Sequence, residues 1–228
     1  MTLLPSQLLA PAISHRGSGT RHIALGQAGR DPIAPSYVFL CFDDSGSLTS
    51  GHDPVGARYT EAARALTHVG AAARTDTQQV ALYRFDHPHV TPIGPLPLHK
   101  RSSLRTLVHA LRPPADSAGA STLAPAMTAM NTAAELYPDA DRMAVVFSDF
   151  ELLDPGPSRP YDTMAAFPGI VHAVVMNAIP PPELCALDNV VVTHVTSADP
   201  PGRLAAALAH TLTRTRHGAT PARLVNEH

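Results

Sequence analysis

Asp43, Ser45 and Ser47 occupy alternate positions in the stretch "FLCFDDSGSLTSGHDP" (39–54), directly after an apolar run. Asp149 ends a second such run, "RMAVVFSD" (142–149), and Thr122 follows the small-residue loop "DSAGAS" (116–121). Brought together, these five side chains offer carboxylate and hydroxyl oxygens, with neither thiolate nor imidazole. Hard oxygen donors of this kind suit Mg²⁺, Mn²⁺ or Ca²⁺ rather than Zn²⁺ or Cu²⁺. So few protein ligands leave positions for water, and one of these is open to an oxygen from outside. The expected affinity for the ion alone is weak, since a millimolar dissociation constant corresponds to only about 4 kcal/mol. The same residue types also serve as turn and helix-cap formers. Asp43, Ser45 and Ser47 as a capping turn, Thr122 as an N-cap and Asp149 as a plain strand end are the competing reading. Asp44, between the candidate ligands, is expected in solvent or in support of its neighbours.

The elements that must position these residues alternate along the chain. "YVFLCF" (37–42) is too short for a helix and apolar throughout, as a strand buried on both faces is. Val55, Tyr59, Ala62, Leu66 and Val69 recur at helical spacing, with Asp53 as N-cap, Pro54 at the first helical position and an end near Gly70. Further strands are expected at 80–85, 142–149, 169–176 and 189–195, with a short edge strand within 89–96 because its prolines cannot donate to a ladder. Leu104, Leu107, Val108 and Leu111 mark a helix stopped by Pro113 and Pro114. Thr122 opens a helix carrying Leu123, Met127, Met130 and Ala134 on one face, and Leu204, Leu208 and Leu212 mark a closing one. Strands alternating with helices predict an α/β fold, a doubly wound and mostly parallel sheet covered on both faces. Ligands of such sheets bind beyond the carboxyl ends of the strands, at the topological switch point. The expected division is an irregular N-terminal arm (1–36), one domain (37–215) and a C-terminal tail (216–228).

Composition narrows the function. The 228 residues are 44% hydrophobic with a net charge of −2, which supports a real core and gives no electrostatic reason to expect nucleic acid. Lys100 is the only lysine, so no phosphate-binding P-loop can be built. Cys41 and Cys185 are too few for a disulfide scaffold and read as packing residues in a reducing compartment. No segment has the roughly 20 apolar residues of a membrane span, and the N-terminus is a poor signal peptide, so a cytoplasmic address is the default. The thirteen histidines, His87 and His89 among them, are scattered and lack HExxH, and His172 and His194 read as structural. A dehalogenase-type phosphatase would need a second acid where Ser45 stands, and a receiver domain a lysine at a late strand end. A serine hydrolase would need GxSxG, which "DSGSL" does not supply. The expectation is a protein that is not an enzyme and has no small-molecule substrate.

"DDSGS" (43–47), "GASTLAPAM" (119–127) and "VVFSDFE" (145–151) resemble the three segments of the metal-ion-dependent adhesion site of von Willebrand factor A-type (VWA) domains. The resemblance spans roughly residues 37–215. The family's D-x-S-x-S falls on Asp43, Ser45 and Ser47, its threonine on Thr122 and its fourth-strand aspartate on Asp149. Two details depart from the commonest pattern: "GAST" where many members have two glycines, and "SDF" where "TDG" is frequent. The resemblance implies strand order 3-2-1-4-5-6 with an antiparallel edge strand, and a divalent ion completed by an acidic side chain of a partner protein. An assembly or regulatory subunit of a larger ATPase complex, chelatase-like or defence-associated, and a metal-independent scaffold are the alternatives. The loop 152–164, leaving the same edge as Asp149, is the candidate for specificity, against a proline-stiffened connector.

Overall fold

The computed structural model describes residues 21–45, 58–85, 91–112 and 121–226. Ser47, His87, His89 and the proposed cap at Asp53 and Pro54 lie outside them. Eight strands are described: β1 (Arg21–Ala24), β2 (Ser36–Asp43), β3 (Gln78–Phe85), β4 (Ile93–Pro97), β5 (Asp141–Ser148), β6 (Ile170–Met176), β7 (Val190–Val195) and β8 (Arg223–Asn226). The described helices are α1 (Arg58–Ala72), α2 (Arg101–Ala110), α3 (Ala124–Glu135), α4 (Arg159–Ala165), α5 (Pro182–Cys185) and α6 (Arg203–Thr213).

Six strands form one sheet in the order β4-β3-β2-β5-β6-β7, parallel except for β4, which runs antiparallel to β3 at the edge. The fold is thus the doubly wound α/β sheet that the alternation predicts, and its order reads 3-2-1-4-5-6 when counted from β2. The period-2 geometry of β2 divides its side chains between two cores. Val38, Leu40 and Phe42 pack with Leu66 and Val69 of α1 and Leu208 and Leu212 of α6. Phe39 and Cys41 pack on the other face with Met127 and Met130 of α3. Each such fully buried aliphatic side chain contributes roughly 1.5–3 kcal/mol. Both faces of the central strands being covered explains why they read as unbroken apolar runs.

Cys41 is buried, whereas Cys185 at the end of α5 is exposed, contrary to its reading as a packing residue. The histidines of β6 and β7 also divide. His172 is buried, its Nδ1 2.6 Å from Thr211 Oγ1 and its Nε2 2.8 Å from Thr193 Oγ1. His194 points into solvent from β7, an edge strand. The short helices α4 and α5 have no counterpart in the periodicity, which needs more than two turns to declare itself.

Within the segment read as an irregular arm, β1 pairs antiparallel with β8 from the C-terminal tail, giving a separate two-stranded ribbon. Arg30 and His217 extend the association through mutual backbone bonds of 2.8 and 3.2 Å. Four-residue strands without clear alternation leave little trace in a sequence. Gly26 lies where the two segments touch: a Cβ there would stand 1.9 Å from the Thr220 carbonyl oxygen, so only glycine permits the approach.

Candidate metal and recognition site

The chain turns from one half of the sheet to the other between β2 and β5, which places the carboxyl ends of these two strands at the switch point. Their parallel register sets Phe42 beside Phe147, and those rings stack at 4.7 Å. The next residues along, Asp43 and Ser148, therefore meet at the crevice, and Ser148 Oγ donates to Asp43 Oδ2 at 2.6 Å. The second oxygen, Oδ1, accepts from the Ser45 backbone N–H at 2.9 Å, a local turn that folds Ser45 back toward the aspartate. Ser148 Oγ in turn accepts from the Phe150 N–H at 2.8 Å, and Asp149 Oδ1 accepts from the Glu151 N–H at 3.1 Å. Asp43, Ser45 and Asp149 are all buried.

Burial pushes the Asp43 carboxyl up from its ordinary value to about 6; the Ser148 and Ser45 hydrogen bonds oppose this, and the Asp149 charge adds to it. No cationic side chain pairs with Asp43 among the described residues. A carboxylate desolvated beside a second carboxylate, with two serines turned toward it, is a donor set that suits a hard divalent cation. No group of three or more His, Cys, Asp or Glu side chains able to hold a metal occurs among the described residues, so a zinc-type cluster is not what these elements build.

Thr122 does not cap its helix. Helix α3 begins at Ala124, and the carboxylate of Asp154 accepts from the N–H groups of Leu123 at 2.9 Å and Ala124 at 2.8 Å. The Leu153 N–H donates to the Ser121 carbonyl at 2.9 Å. The Thr122 segment is thus tied to the chain leaving Asp149. Asp154→Ala is expected to lower stability by about 1–2 kcal/mol through loss of this cap, measurable by urea denaturation. The loop 152–164 consequently does more than connect, and its second half is α4.

Both departures from the commonest sequence pattern fall on unusual backbone. Ser121 has φ 50° and Phe150 φ 59°, the left-handed region that glycine enters most easily. Phe150 is buried in the α3-side core, which offsets its conformational cost. Ser121 is only half-buried, so Ser121→Gly is expected to raise stability by about 0.5–1 kcal/mol in the same denaturation experiment.

Of the two roles expected for Asp44, solvent is excluded: it is fully buried and lies in an ion-pair network. Arg84 Nη1 is 2.7 Å from Asp44 Oδ2, and the Tyr59 hydroxyl donates to Asp44 Oδ1. Arg58 Nη2 lies 3.9 Å from the same Oδ1 and 3.2 Å from the Tyr59 oxygen. Arg84 Nη2 also donates to the carbonyls of Ala110 and Arg112, both at 2.6 Å, fastening the end of α2. The Tyr59 ring stacks on Phe42 and has both guanidinium groups over it, at 4.8 and 5.3 Å. Burial, with the Asp44 charge next in weight, pushes the Tyr59 hydroxyl well above its ordinary range. Consecutive aspartates thus point to opposite duties. Sequence reasoning also passed over Ser148, whose signal was its place one residue before Asp149, opposite Asp43 in register.

A cavity of about 380 Å³ adjoins the crevice, between Phe150 and Leu152 on one side and Pro160, Tyr161 and Glu183 on the other. Burial and the Glu183 and Asp154 charges push the Tyr161 hydroxyl up, so its rim is negative. Leu153 and Ile179, 71% and 88% exposed, add apolar surface at the same sheet edge.

No protein-family model and no curated protein sequence matches the chain. Solved structures do. The pilus adhesin SpaC of Lactobacillus rhamnosus GG superposes with TM-score 0.62 at 13% identity, covering 82% of this chain and 31% of that one. The conserved hypothetical protein BatB of Bacteroides thetaiotaomicron gives 0.57 at 14% identity, covering 79% and 98%. The manganese-loaded TRAP protein of Plasmodium vivax gives 0.53 at 13% identity, covering 91% and 82%. The chain thus spans less than a third of the adhesin's length but most of the other two. At such identities the likeness concerns the fold, and what these neighbours share with the present chain is a VWA-like α/β architecture.

Proposed function

We propose that the protein is a divalent-cation-dependent recognition module. Asp43, Ser45, Ser47, Thr122 and Asp149 hold Mg²⁺ or Mn²⁺ at the carboxyl edge of the sheet, and an aspartate or glutamate of a partner protein takes the ion's exchangeable position. The observation that carries this reading is the state of Asp43: a buried carboxylate that feels the charge of Asp149, with two serines turned toward it and no pairing cation among the described residues. Such an arrangement costs the protein stability and is relieved by a bound cation. When present, the ion supplies a positive charge that attracts an incoming carboxylate in a poorly hydrated crevice. The chain's own contribution is placement. Strand β2 fixes Asp43 and β5 fixes Ser148 and Asp149. Asp154 secures the segment carrying Thr122, and Leu153 and Ile179 offer apolar surface to whatever flanks the partner's acid.

The reading is tested by affinity capture from the lysate of the source organism, comparing wild type in Mg²⁺, wild type in EDTA, and Asp43→Asn in Mg²⁺. A partner retained only in the first condition, and lost when its own contact Asp or Glu is changed to Ala, is the expected result. Equal retention in all three makes the domain a metal-independent scaffold.

A further inference from the structure

A cavity of about 490 Å³ lies between α6 and the segments next to the ribbon, Gly26 and Gln27 after β1 and residues 219–222 before β8, and it shares no residue with the crevice at Asp43. Its floor is one face of α6, and its side wall includes His172 and Thr193 from the adjacent strands. Arg203, Ala207, His210 and Arg214 recur at intervals of four, three and four, the spacing of a single helical face. The small Ala206 and Ala207 between the cations leave the helix surface open to approach. Among the described residues, the side chains of Arg203, His210 and Arg214 form no hydrogen bond or ion pair, and no aspartate or glutamate lines the cavity. Arg216, which also reaches it, is already engaged by Asp31 at 3.0 Å and Gln78 at 2.8 Å. The roof is held in place: the Gln27 N–H donates to Thr220 Oγ1 at 2.8 Å, and the Thr220 N–H returns a bond to the Gln27 carbonyl at 3.0 Å.

Cations on a convex helix are ordinarily just solvated. Here they border a concavity of the size that small ligands occupy, roughly 300–1,000 Å³, with positive charge concentrated on one wall. The field is felt inside: burial chiefly, and then the His210 and Arg214 charges, hold the His172 imidazole down at about 4. A neutral His172 leaves the anion to the groups on α6. Arginine's planar donor fork matches the oxygens of phosphate or carboxylate in pairs. His210 and Arg214, one turn apart, can grip a single group together, while Arg203, about 16 Å along the helix from Arg214, reaches a second charge only on a longer molecule.

We propose that this cavity binds a small oxyanion carrying two or more negative charges, an organic phosphate or a polycarboxylate, through Arg214 and His210. Occupancy would bridge α6 to the segments of Gln27 and Thr220.

The test is an NMR titration of the full chain, stripped of divalent ions and dialysed free of chelator, at constant ionic strength, with pyrophosphate and citrate as separate probes. Removing divalent ions keeps the crevice at Asp43 out of the measurement. The expected result is a saturable shift of the amides of Ala206, Ala207, Gln27 and Thr220 with at least one probe. The double variant His210→Gln, Arg214→Gln should weaken that probe at least about tenfold. It should keep the wild-type melting temperature, because both side chains are exposed and unbonded. A preference for pyrophosphate assigns phosphate chemistry, and one for citrate assigns carboxylate chemistry. Shifts that stay linear to tens of millimolar with both probes, or that saturate equally in the variant, overturn the site and leave the arginines as solvated surface charge.

Discussion

Asp44→Ala is expected to destabilise the protein by about 3–5 kcal/mol, although Asp44 lies next to the proposed ion ligand and takes no part in holding it. The substitution leaves Arg84, 11% exposed, without its anion and removes the acceptor of the Tyr59 hydroxyl. Most of that cost is the burden of the stranded Arg84 guanidinium, so a double-mutant cycle distinguishes it from the worth of the pair. Arg84→Met alone should also be costly, because it releases the carbonyls of Ala110 and Arg112. The double variant should be markedly less destabilised than the sum of the two single ones. Urea denaturation of the four proteins measures this. A loss below about 1 kcal/mol for Asp44→Ala would show that the network is solvated.

Asp43→Asn should have the opposite sign in the metal-free protein. The folded-state value of about 6 lies above the ordinary 3.8, so the folded protein binds the proton more tightly than the unfolded chain does. Above pH 6 the ionised Asp43 is therefore a destabilising element, on the order of 3 kcal/mol. As pH falls from 7.5 through 6 toward 4, this contribution relaxes and the metal-free wild type gains stability from this group. Asp43→Asn should accordingly be more stable than wild type at pH 7.5 in EDTA, by about 1–3 kcal/mol, with the advantage shrinking on acidification. Addition of Mg²⁺ or Mn²⁺ should raise the wild-type melting temperature and leave the variant unmoved. Because a cation competes with the proton for Asp43, the wild-type response should fade below about pH 6. Thermal melts over pH 5–7.5, with and without ion, separate these outcomes. A variant less stable than wild type in EDTA would mean that Asp43 serves chiefly as a structural acceptor for Ser45 and Ser148.

The two aspartates illustrate what a sequence can and cannot convey. The strand preceding them was legible because β2 is covered on both faces and hence apolar at every position. The switch point followed from the alternation of strands and helices, and the resemblance gave the strand order and the antiparallel edge strand. What separates Asp43 from Asp44 is which way each side chain leaves the end of β2, toward Ser148 of β5 or toward Arg84 of β3. The partners of Asp44 lie 15 and 40 residues away, and nothing in the local pattern announces them. Thr122 was assigned the cap that Asp154 provides from 30 residues on, because long-range capping leaves no short motif. The ribbon of β1 and β8 joins segments about 200 residues apart and was invisible for the same reason. The two positions that departed from the glycine-rich pattern, Ser121 and Phe150, proved to need the backbone that glycine would have supplied.

The central claim, that one divalent ion sits between the ends of β2 and β5, is tested most directly by anomalous diffraction from crystals soaked in millimolar Mn²⁺ at pH 7.5. The account predicts a single manganese peak within bonding distance of side-chain oxygens from Asp43, Ser45, Ser47, Thr122 or Asp149, some through water, with the peak absent from Asp43→Asn crystals. A crevice without a peak in the wild type, with Asp43 still accepting from Ser148, would contradict it.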